Sequence, residues 1–259
     1  MVKFALAATF FALSSVVSAS PAPAKTEVNL EKRFNVLSGQ WDTENIGNGQ
    51  YILYNNLFGS KQLGTSGSQS TQALSYSGTT ISWKTQYSWQ GNPTNVKSYA
   101  NVALQKGLNK KLNAIGKIPT TWRWTYNAAS TALIADVSYD LWLSNVPNSG
   151  TGSKDTTFEV MIWLSNRRAG PAGSKVATAN INGLNWGLFK GRVGTWDVYS
   201  FVAPSELSNY NADLKPFLTY LINSRGISSN QYLVALQAGT EPFEGSGTLT
   251  TTAYTAAIN

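Results

Sequence analysis

Residues 158–165, FEVMIWLS, alternate apolar and other side chains with a period of two, which predicts a half-buried strand. The apolar set fills one face of this strand and leaves Glu159, Met161 and Trp163 on the other. A carboxylate that shares a strand face with a thioether and a large aromatic ring is unusual for a solvent-facing surface. The pattern therefore marks Glu159 as a residue that needs an explanation.

Two further segments show the same pattern. ALIADVSYDLWL (132–143) buries one face and leaves Asp136 and Asp140 on the other. YLVALQAGTEPF (232–243) does the same and leaves Glu241 near its end. If the three predicted strands are neighbours in one sheet, their carboxylates converge on one surface.

Short alternating runs separated by Gly-, Asn- and Ser-rich turns continue along most of the chain, which predicts an all-β sandwich, jelly roll or barrel. One segment, 213–226, has helical spacing instead. There we expect Asp213 as the N-cap, Pro216 in the first turn and Gly226 at the C-terminal stop. The expected fold is thus a β framework with one packed α-helix.

The N-terminal 33 residues differ in character from the remainder. Residues 1–19 have a basic start, a short apolar run and a small-residue cleavage site, which are typical of a secretory signal peptide. Residues 20–33 are polar and end in Lys32-Arg33, which indicates a propeptide or a retained disordered leader. We expect a secreted, extracellular product with one folded domain at 34–259 and no membrane association.

The composition removes several chemistries. The chain contains no Cys and no His, so it has neither a disulfide nor a Ser-His-Asp triad, a Cys nucleophile or a usual zinc site. Its formal net charge is +7, but the basic residues are scattered, which favours a solvated surface over a nucleic-acid site. We expect no nucleic-acid partner, no metal and no cofactor.

Acid–base and nucleophilic work in such a chain falls to carboxylates. Glycoside hydrolysis uses a pair of them, one as nucleophile or base and one as a protonated acid. Each candidate also has a structural explanation, since a Glu on a strand face is usually solvated and Asp136 or Asp140 could bond a neighbouring backbone group. The nine Trp and twelve Tyr suit either a core or a sugar-binding surface. These patterns alone indicate a secreted β protein that acts on carbohydrate.

Eight segments, in order, resemble glycoside hydrolase family 12, the small endo-β-1,4-glucanases and xyloglucanases. They are GQWDT (39–43), YNNLFG (54–59), NVKSYAN (95–101), IPTTW (118–122), ADVSYDLW (135–142), FEVMIWL (158–164), VYSFVA (198–203) and AGTEPFEGSGTL (238–249). The resemblance implies a β-jelly-roll sandwich of two antiparallel sheets with a concave substrate cleft. Its motifs imply that Glu159 is the nucleophile, that Glu241 is the general acid/base and that Asp140 hydrogen-bonds the nucleophile.

The same resemblance implies substrate contacts. Met161 and Trp163 match residues that line the cleft, and Asn56 and Phe58 match a segment that supports a sugar on the non-reducing side. The family pattern has Trp where this chain has Phe58, which puts affinity at that position in doubt.

Ser38 and Ser70 stand where many relatives have Cys, so a disulfide of the family is missing. This puts the stability of the N-terminal part in doubt rather than catalysis.

The expected partner is a β-1,4-glucan polysaccharide. We expect a monomeric retaining endo-β-1,4-glucan hydrolase acting on cellulose-type β-glucans. Xyloglucan is the alternative substrate. A second alternative is a non-catalytic, lectin-like glucan-binding protein or one that elicits plant immunity.

Overall fold

Strands dominate residues 34–259, the part of the chain described by the computed structural model. The predicted signal peptide and leader lie outside the described residues. Fifteen strands are present in the described range: Val36–Leu37 (β1), Thr43–Ile46 (β2), Tyr51–Tyr54 (β3), Ser66–Ser77 (β4), Thr80–Gln90 (β5), Ala100–Leu104 (β6), Lys110–Lys111 (β7), Pro119–Ala129 (β8), Ile134–Ser144 (β9), Thr156–Arg167 (β10), Ser174–Ile181 (β11), Leu184–Val193 (β12), Trp196–Val202 (β13), Asn209–Asp213 (β14) and Tyr232–Ala256 (β15). A 3₁₀ turn, Leu112–Ala114, and one α-helix, Lys215–Arg225 (α1), complete the regular structure.

The strands form two sheets that share β15. The front sheet has the order β2-β3-β6-β15-β9-β10-β13-β12-β11, with β7 also paired to β15. The back sheet contains β1, β4, β5, β8 and β14 around the C-terminal half of β15. This is the jelly-roll sandwich that the resemblance implied. Within the described strands, one pair departs from the antiparallel expectation, because β10 and β13 run parallel.

β15 passes from the front sheet to the back sheet just after Glu241. Its ladder with β9 is irregular between Pro242 and Glu244, and Gly245 follows with φ +94°. A Cβ at Gly245 would lie 2.8 Å from the Cα of Leu133, so the bend requires glycine. Glu241 is thus held at the point where the chain changes sheets.

The core lies between the two sheets and is rich in aromatic rings. Trp83 and Trp122 of the back sheet stack at 6.2 Å between ring centroids, and Tyr139 of β9 meets Trp122 edge-on at 4.9 Å. All three side chains are almost fully buried. Burial of such large rings stabilises the contact between the sheets. These three aromatic side chains therefore serve packing rather than sugar binding.

The helix is shorter than the predicted 213–226. Asp213 belongs to β14 and Leu214 occupies the N-cap position, so the predicted cap is displaced by one residue. The Asp213 carboxylate still accepts the Lys215 N–H at 2.9 Å, since the strand ends beside the first turn. Gly226 ends the helix in the left-handed conformation, as predicted. Within residues 34–259, no helix is long and apolar enough to cross a membrane.

Candidate active site

Four carboxyl groups lie on the face of the front sheet that points away from the core, which we call the front face. β9 runs between β10 and β15, with Asp140 opposite both Met161 and Gln237. The intervening residues of β9 and β10 face the core, which leaves Glu159 on the front face with Asp140. The predicted convergence of the three strands is confirmed.

Glu159 is 9% exposed and has one strong hydrogen-bond donor. The indole Nε1–H of Trp196 donates to its Oε2 at 2.8 Å. Burial raises the pKa of Glu159 to about 7, and the Trp196 hydrogen bond opposes that rise. A donor of this kind favours the ionised carboxylate, since a carboxylate can only accept hydrogen bonds.

Glu241 is also 9% exposed, but acidic groups surround it. Burial raises its pKa well above the usual value, and the charges of Asp136, Glu159 and Asp140 raise it further. Its own backbone N–H points at Asp136 Oδ1 at 3.4 Å. The setting of Glu241 therefore favours a protonated carboxyl at a pH where Glu159 is ionised.

Asp136 is the partner of Glu241 in the ladder and is fully buried. Its Oδ1 accepts the Ser138 hydroxyl at 2.9 Å. Its Oδ2 receives no N–H or hydroxyl from the described residues, so the protonated carboxyl of Glu241 is the donor available to it. Burial raises the pKa of Asp136 to about 7, and the bonds from Ser138 and Glu241 oppose the rise.

Asp136 was absent from the predicted site residues. The available signal was its position on the same strand face as Asp140, four residues away. What the sequence could not show was the register that sets Asp136 opposite Glu241, because irregularities in the β9–β15 ladder fix that register.

Asp140 is a diagonal neighbour of Glu159 on the front face, because Asp140 lies opposite Met161 and Glu159 lies opposite Trp142. Its Oδ1 receives no N–H or hydroxyl from the described residues, which leaves a neighbouring carboxyl as the partner available to it. The expected hydrogen bond from Asp140 to Glu159 therefore stays a prediction. Burial and then the charge of Glu159 raise the pKa of Asp140 well above its usual range, and a hydrogen bond from Trp142 opposes that rise.

Met161 and Trp163 lie on the front face but are covered. Trp163 is 2% exposed, and its Nε1–H points at the Met161 sulfur at 3.5 Å. Ala169 and Phe243 pack over the pair. Trp163 thus supports the floor of the face, and in this structure its ring offers no surface to a sugar, because the segment after β10 folds back over it.

Asn56 and Phe58 are tied to the strand of Glu241 by the backbone. Gly59 N–H donates to Lys97 C=O, and Lys97 N–H donates to Pro242 C=O, each at 3.0 Å. Phe58 is 45% exposed, as an aromatic sugar contact requires, and Asn56 Oδ1 is buried with no hydrogen-bond partner in the described part of the chain.

Trp41, which the site prediction omitted, is 65% exposed. It belongs to the same neighbourhood as Phe58, because Gln40 C=O accepts the N–H of Leu57 at 2.9 Å. An exposed Trp beside a predicted sugar contact is a binding candidate, and the sequence signals were its residue type and its place in the GQWDT segment (39–43).

Metal binding requires a different arrangement of acids. Within 34–259 no three His, Cys, Asp or Glu side chains converge closely enough to hold a metal ion. The front-face carboxyls are instead spread over three strands, an arrangement that suits proton transfer and nucleophilic attack.

Comparisons with known proteins agree with this geometry. Residues 49–259 match the sequence model of Glycosyl hydrolase family 12. The chain is 43% identical to xyloglucan-specific endo-β-1,4-glucanase A of Aspergillus aculeatus over 92% of this chain and 97% of that protein. It is 46% identical to an inactive glycoside hydrolase of Phytophthora nicotianae over 82% of this chain and 87% of that protein. Endoglucanase 3 of Trichoderma harzianum superposes with a TM-score of 0.81 at 40% identity, over 88% of this chain and 99% of that chain.

Proposed function

The chain belongs to glycosyl hydrolase family 12, and we propose that it hydrolyses internal β-1,4-glucosidic bonds of glucans with retention of configuration. The observation that carries this proposal is the contrast between two buried glutamates on one face. Glu159 accepts a hydrogen bond from Trp196, whereas Glu241 is surrounded by acids that keep it protonated. One ionised and one protonated carboxyl are what a retaining glycosidase needs.

In the first step, an oxygen of the Glu159 carboxylate attacks the anomeric carbon of the glucosyl unit. The bond from that carbon to the bridging oxygen breaks, and the Glu241 proton moves to the departing oxygen. A glucosyl ester of Glu159 remains, and Glu241 becomes a carboxylate.

In the second step, the Glu241 carboxylate takes a proton from water as the water oxygen attacks the anomeric carbon. Glu159 leaves as a carboxylate and the sugar is released. The electrostatics support this exchange of roles, because the charge of Glu159 is one of the causes that raise the pKa of Glu241. Esterification removes that charge, which lowers the pKa of Glu241 when it must act as a base.

The two aspartates set the protonation of the pair. Asp136 bonds the Glu241 carboxyl and adds a like charge beside it, which favours the protonated form of Glu241. The raised pKa of Asp140 favours its neutral form next to Glu159, which limits the negative charge at the nucleophile. No metal or cofactor enters either step.

Xyloglucan is the substrate that we favour among the β-1,4-glucans. The relative from Aspergillus aculeatus carries xyloglucan specificity in its name and aligns along nearly its whole length. Trp41 and Phe58 provide exposed rings for the glucan backbone on the side of the face near β2 and β3. Cellulose-type and mixed-linkage glucans are the competing substrates.

A non-catalytic role is the alternative that the inactive Phytophthora nicotianae relative makes concrete. Similarity to that protein carries no activity to this chain, so the proposal rests on the carboxyls of this chain itself. A glucan-binding protein has no need for a buried, proton-sharing pair such as Asp136 and Glu241 beside a second glutamate.

Secretion, a monomeric state and freedom from membranes are part of the proposal. The leader-like character of residues 1–33 and the extracellular location of β-glucan polymers support secretion. Mass spectrometry of the product exported from the full chain would identify its N-terminus.

The test is the release of reducing ends by the expressed full chain from xyloglucan, barley β-glucan and carboxymethyl cellulose. Glu159→Gln is the matched control, because it keeps the shape of the side chain and removes the charge. We expect strong release by the wild type and its collapse in the variant, with xyloglucan as the best substrate. Binding without release by the wild type would overturn the hydrolase proposal.

A further inference from the structure

Trp196 is placed against Glu159 by an element that no motif of the active site includes. It is the first residue of β13 and follows the turn after β12. Its indole N–H is the side-chain donor recorded for Glu159 among the described residues. The donor and the carboxylate are 37 residues apart in sequence, so the contact depends on the parallel pairing of β10 with β13.

The β12–β13 hairpin is braced on its other face. Asp197, which follows Trp196, pairs with Arg192 at 3.1 Å and with Lys190 at 3.1 Å. Arg192 also donates to the Thr195 C=O at 3.0 Å. These contacts hold the turn on both sides of Trp196 and orient its side chain towards the front face.

A second indole supports the ring from the front face. Trp142 of β9 meets Trp196 with 5.6 Å between ring centroids and an interplanar angle of 60°. The Trp142 N–H does not serve Glu159: it points to Gln237 Oε1 at 3.3 Å and also opposes the raised pKa of Asp140 through a hydrogen bond. A Cβ at Gly152 would lie 3.6 Å from the Trp196 ring and 3.9 Å from the Trp142 ring. The two rings thus share one packing site, but their N–H groups serve different partners.

We propose that Trp196 is a positioning residue for the nucleophile: its indole N–H fixes one oxygen of Glu159 and leaves the other free to attack. The inference rests on the proposed function of Glu159. A carboxylate whose Oε2 is held has one direction of attack instead of two. The indole donor is neutral, so it stabilises the Glu159 carboxylate without adding a charged group to the site.

The charged groups around Glu159 leave Trp196 as the main support of its ionised form. β9 presents Asp140 and Asp136, and β15 presents Glu241, all of which are acids. β13 presents Val198 opposite Glu159, and the charges of its hairpin are paired with one another through Asp197. The described residues place no basic side chain among the causes that shift the pKa of Glu159.

The experiment is a ¹³C NMR titration of the glutamate carboxyls in the full chain. The chain has seven glutamates, so the spectrum contains few glutamate carboxyl signals. Glu159→Gln assigns the Glu159 signal. Trp196→Phe removes the N–H and keeps an aromatic ring, and Trp142→Phe is the matched control because it alters the same ring pair but leaves the Glu159 donor in place.

We expect Trp196→Phe to move the Glu159 midpoint upward by about 1 to 2 pH units, as for loss of a hydrogen bond to a charged group. The acidic limb of kcat/KM should move upward with it. Trp142→Phe should move the Glu159 midpoint by less than Trp196→Phe does, because the Trp142 N–H bonds Gln237 and Asp140 and acts on Glu159 only through Asp140. An unchanged Glu159 midpoint in Trp196→Phe would overturn the proposal.

Two further measurements distinguish failure of the Trp196 proposal from failure of the proposed function. In the wild type, the ¹⁵N-bound indole proton of Trp196 should titrate with the Glu159 midpoint and cease to do so in Glu159→Gln, which tests the bond even if Trp196→Phe does not fold. An indole proton that does not respond to pH would contradict the assignment. Absence of hydrolysis by a wild type that shows the predicted titration would contradict the proposed function instead.

Discussion

The surroundings of Glu159 and Glu241 differ although the two side chains are equally exposed. Both lie on the front face and both have raised pKa values because they are buried. Glu159 meets an N–H donor, whereas Glu241 meets Asp136 across the ladder. Burial alone would make both groups acids. In the proposed mechanism, the hydrogen-bond partner therefore separates the nucleophile from the acid, and β9, which carries both aspartates, enforces the separation.

The largest expected loss of activity follows removal of either glutamate. Glu159→Ala should lose activity on the order of 10⁴-fold or more on every substrate, because no covalent step remains. Glu241→Ala should lose about 10² to 10⁴-fold on glucan. On an aryl glucoside with an acidic leaving phenol, the first step of Glu241→Ala should recover, since such a group departs without a proton. Initial rates on the two substrates measure this, and equal losses in both variants would contradict the assigned roles.

Asp136→Asn should make the surroundings of Glu241 more like those of Glu159. Removal of the like charge lowers the pKa of Glu241, so the alkaline limb of kcat/KM should move to lower pH by about one unit. The acidic limb should move less. Because the chain has no His and no Cys, no imidazole or thiol adds a limb to the profile between pH 5 and 8. A profile whose alkaline limb stays in place would remove Asp136 from the account.

The same repulsion predicts a cost to folding. The folded-state pKa of Glu241 is raised, so its protonation contributes stability that is complete below the unfolded pKa and is lost as pH rises through the folded pKa. Glu241→Gln mimics the protonated state. It should be more stable than the wild type at pH 8 by about 1 to 3 kcal/mol and equal to it near pH 4. Thermal unfolding at both pH values measures the difference, and a less stable variant at pH 8 would contradict the repulsion.

Phe58 offers a control outside the carboxyl network. Phe58→Trp should lower KM about two- to fivefold, because a larger exposed ring covers more of a sugar. Neither limb of the pH profile should move, since Phe58 is absent from the causes that shift the pKa values of Glu159 and Glu241. Kinetics on xyloglucan over a pH series would show a shifted limb if the two regions were coupled.

Restoration of the missing disulfide should change the stability of the protein and leave its activity unchanged. The β1–β4 ladder pairs Leu37 with Thr71, which brings the following Ser38 towards Ser70, and both line one surface pocket of the back sheet. Ser38→Cys with Ser70→Cys should stabilise the oxidised protein by about 2 to 4 kcal/mol. Activity per molecule should be unchanged. Thermal unfolding with and without reductant checks this, and no difference between the two would show that the bond does not form.

Local alternation carried most of the information about the fold. Period-two patterns identify β9 and β10, and they place Glu159 and Asp140 on the face opposite the core. Period-two counting fails in β15: counting back from Ala238 and Leu236 places Val234 in the core, but a bulge between Leu233 and Ala235 puts Leu233 there instead. A bulge adds one residue without a sequence marker of its own, so alternation cannot locate it.

Contacts between distant segments limited the prediction of the site. Asp136 opposes Glu241 and Trp196 reaches Glu159 because of strand register, which no single segment encodes. Trp163 matches a cleft position, yet it is buried in a cluster with Ala169, which follows β10, and with Phe243 of β15. The residue types of the site could therefore be predicted from the sequence, but their hydrogen-bond and ladder partners could not.

The central claim is that Glu159 forms the covalent intermediate while Glu241 moves protons, and covalent trapping tests it most directly. A β-glucan oligosaccharide with fluorine at the 2-position and a reactive leaving group forms the ester quickly and hydrolyses slowly. Peptide mapping by mass spectrometry then locates the sugar. The account predicts the label on the peptide that contains Glu159, and a label on Glu241 would contradict it.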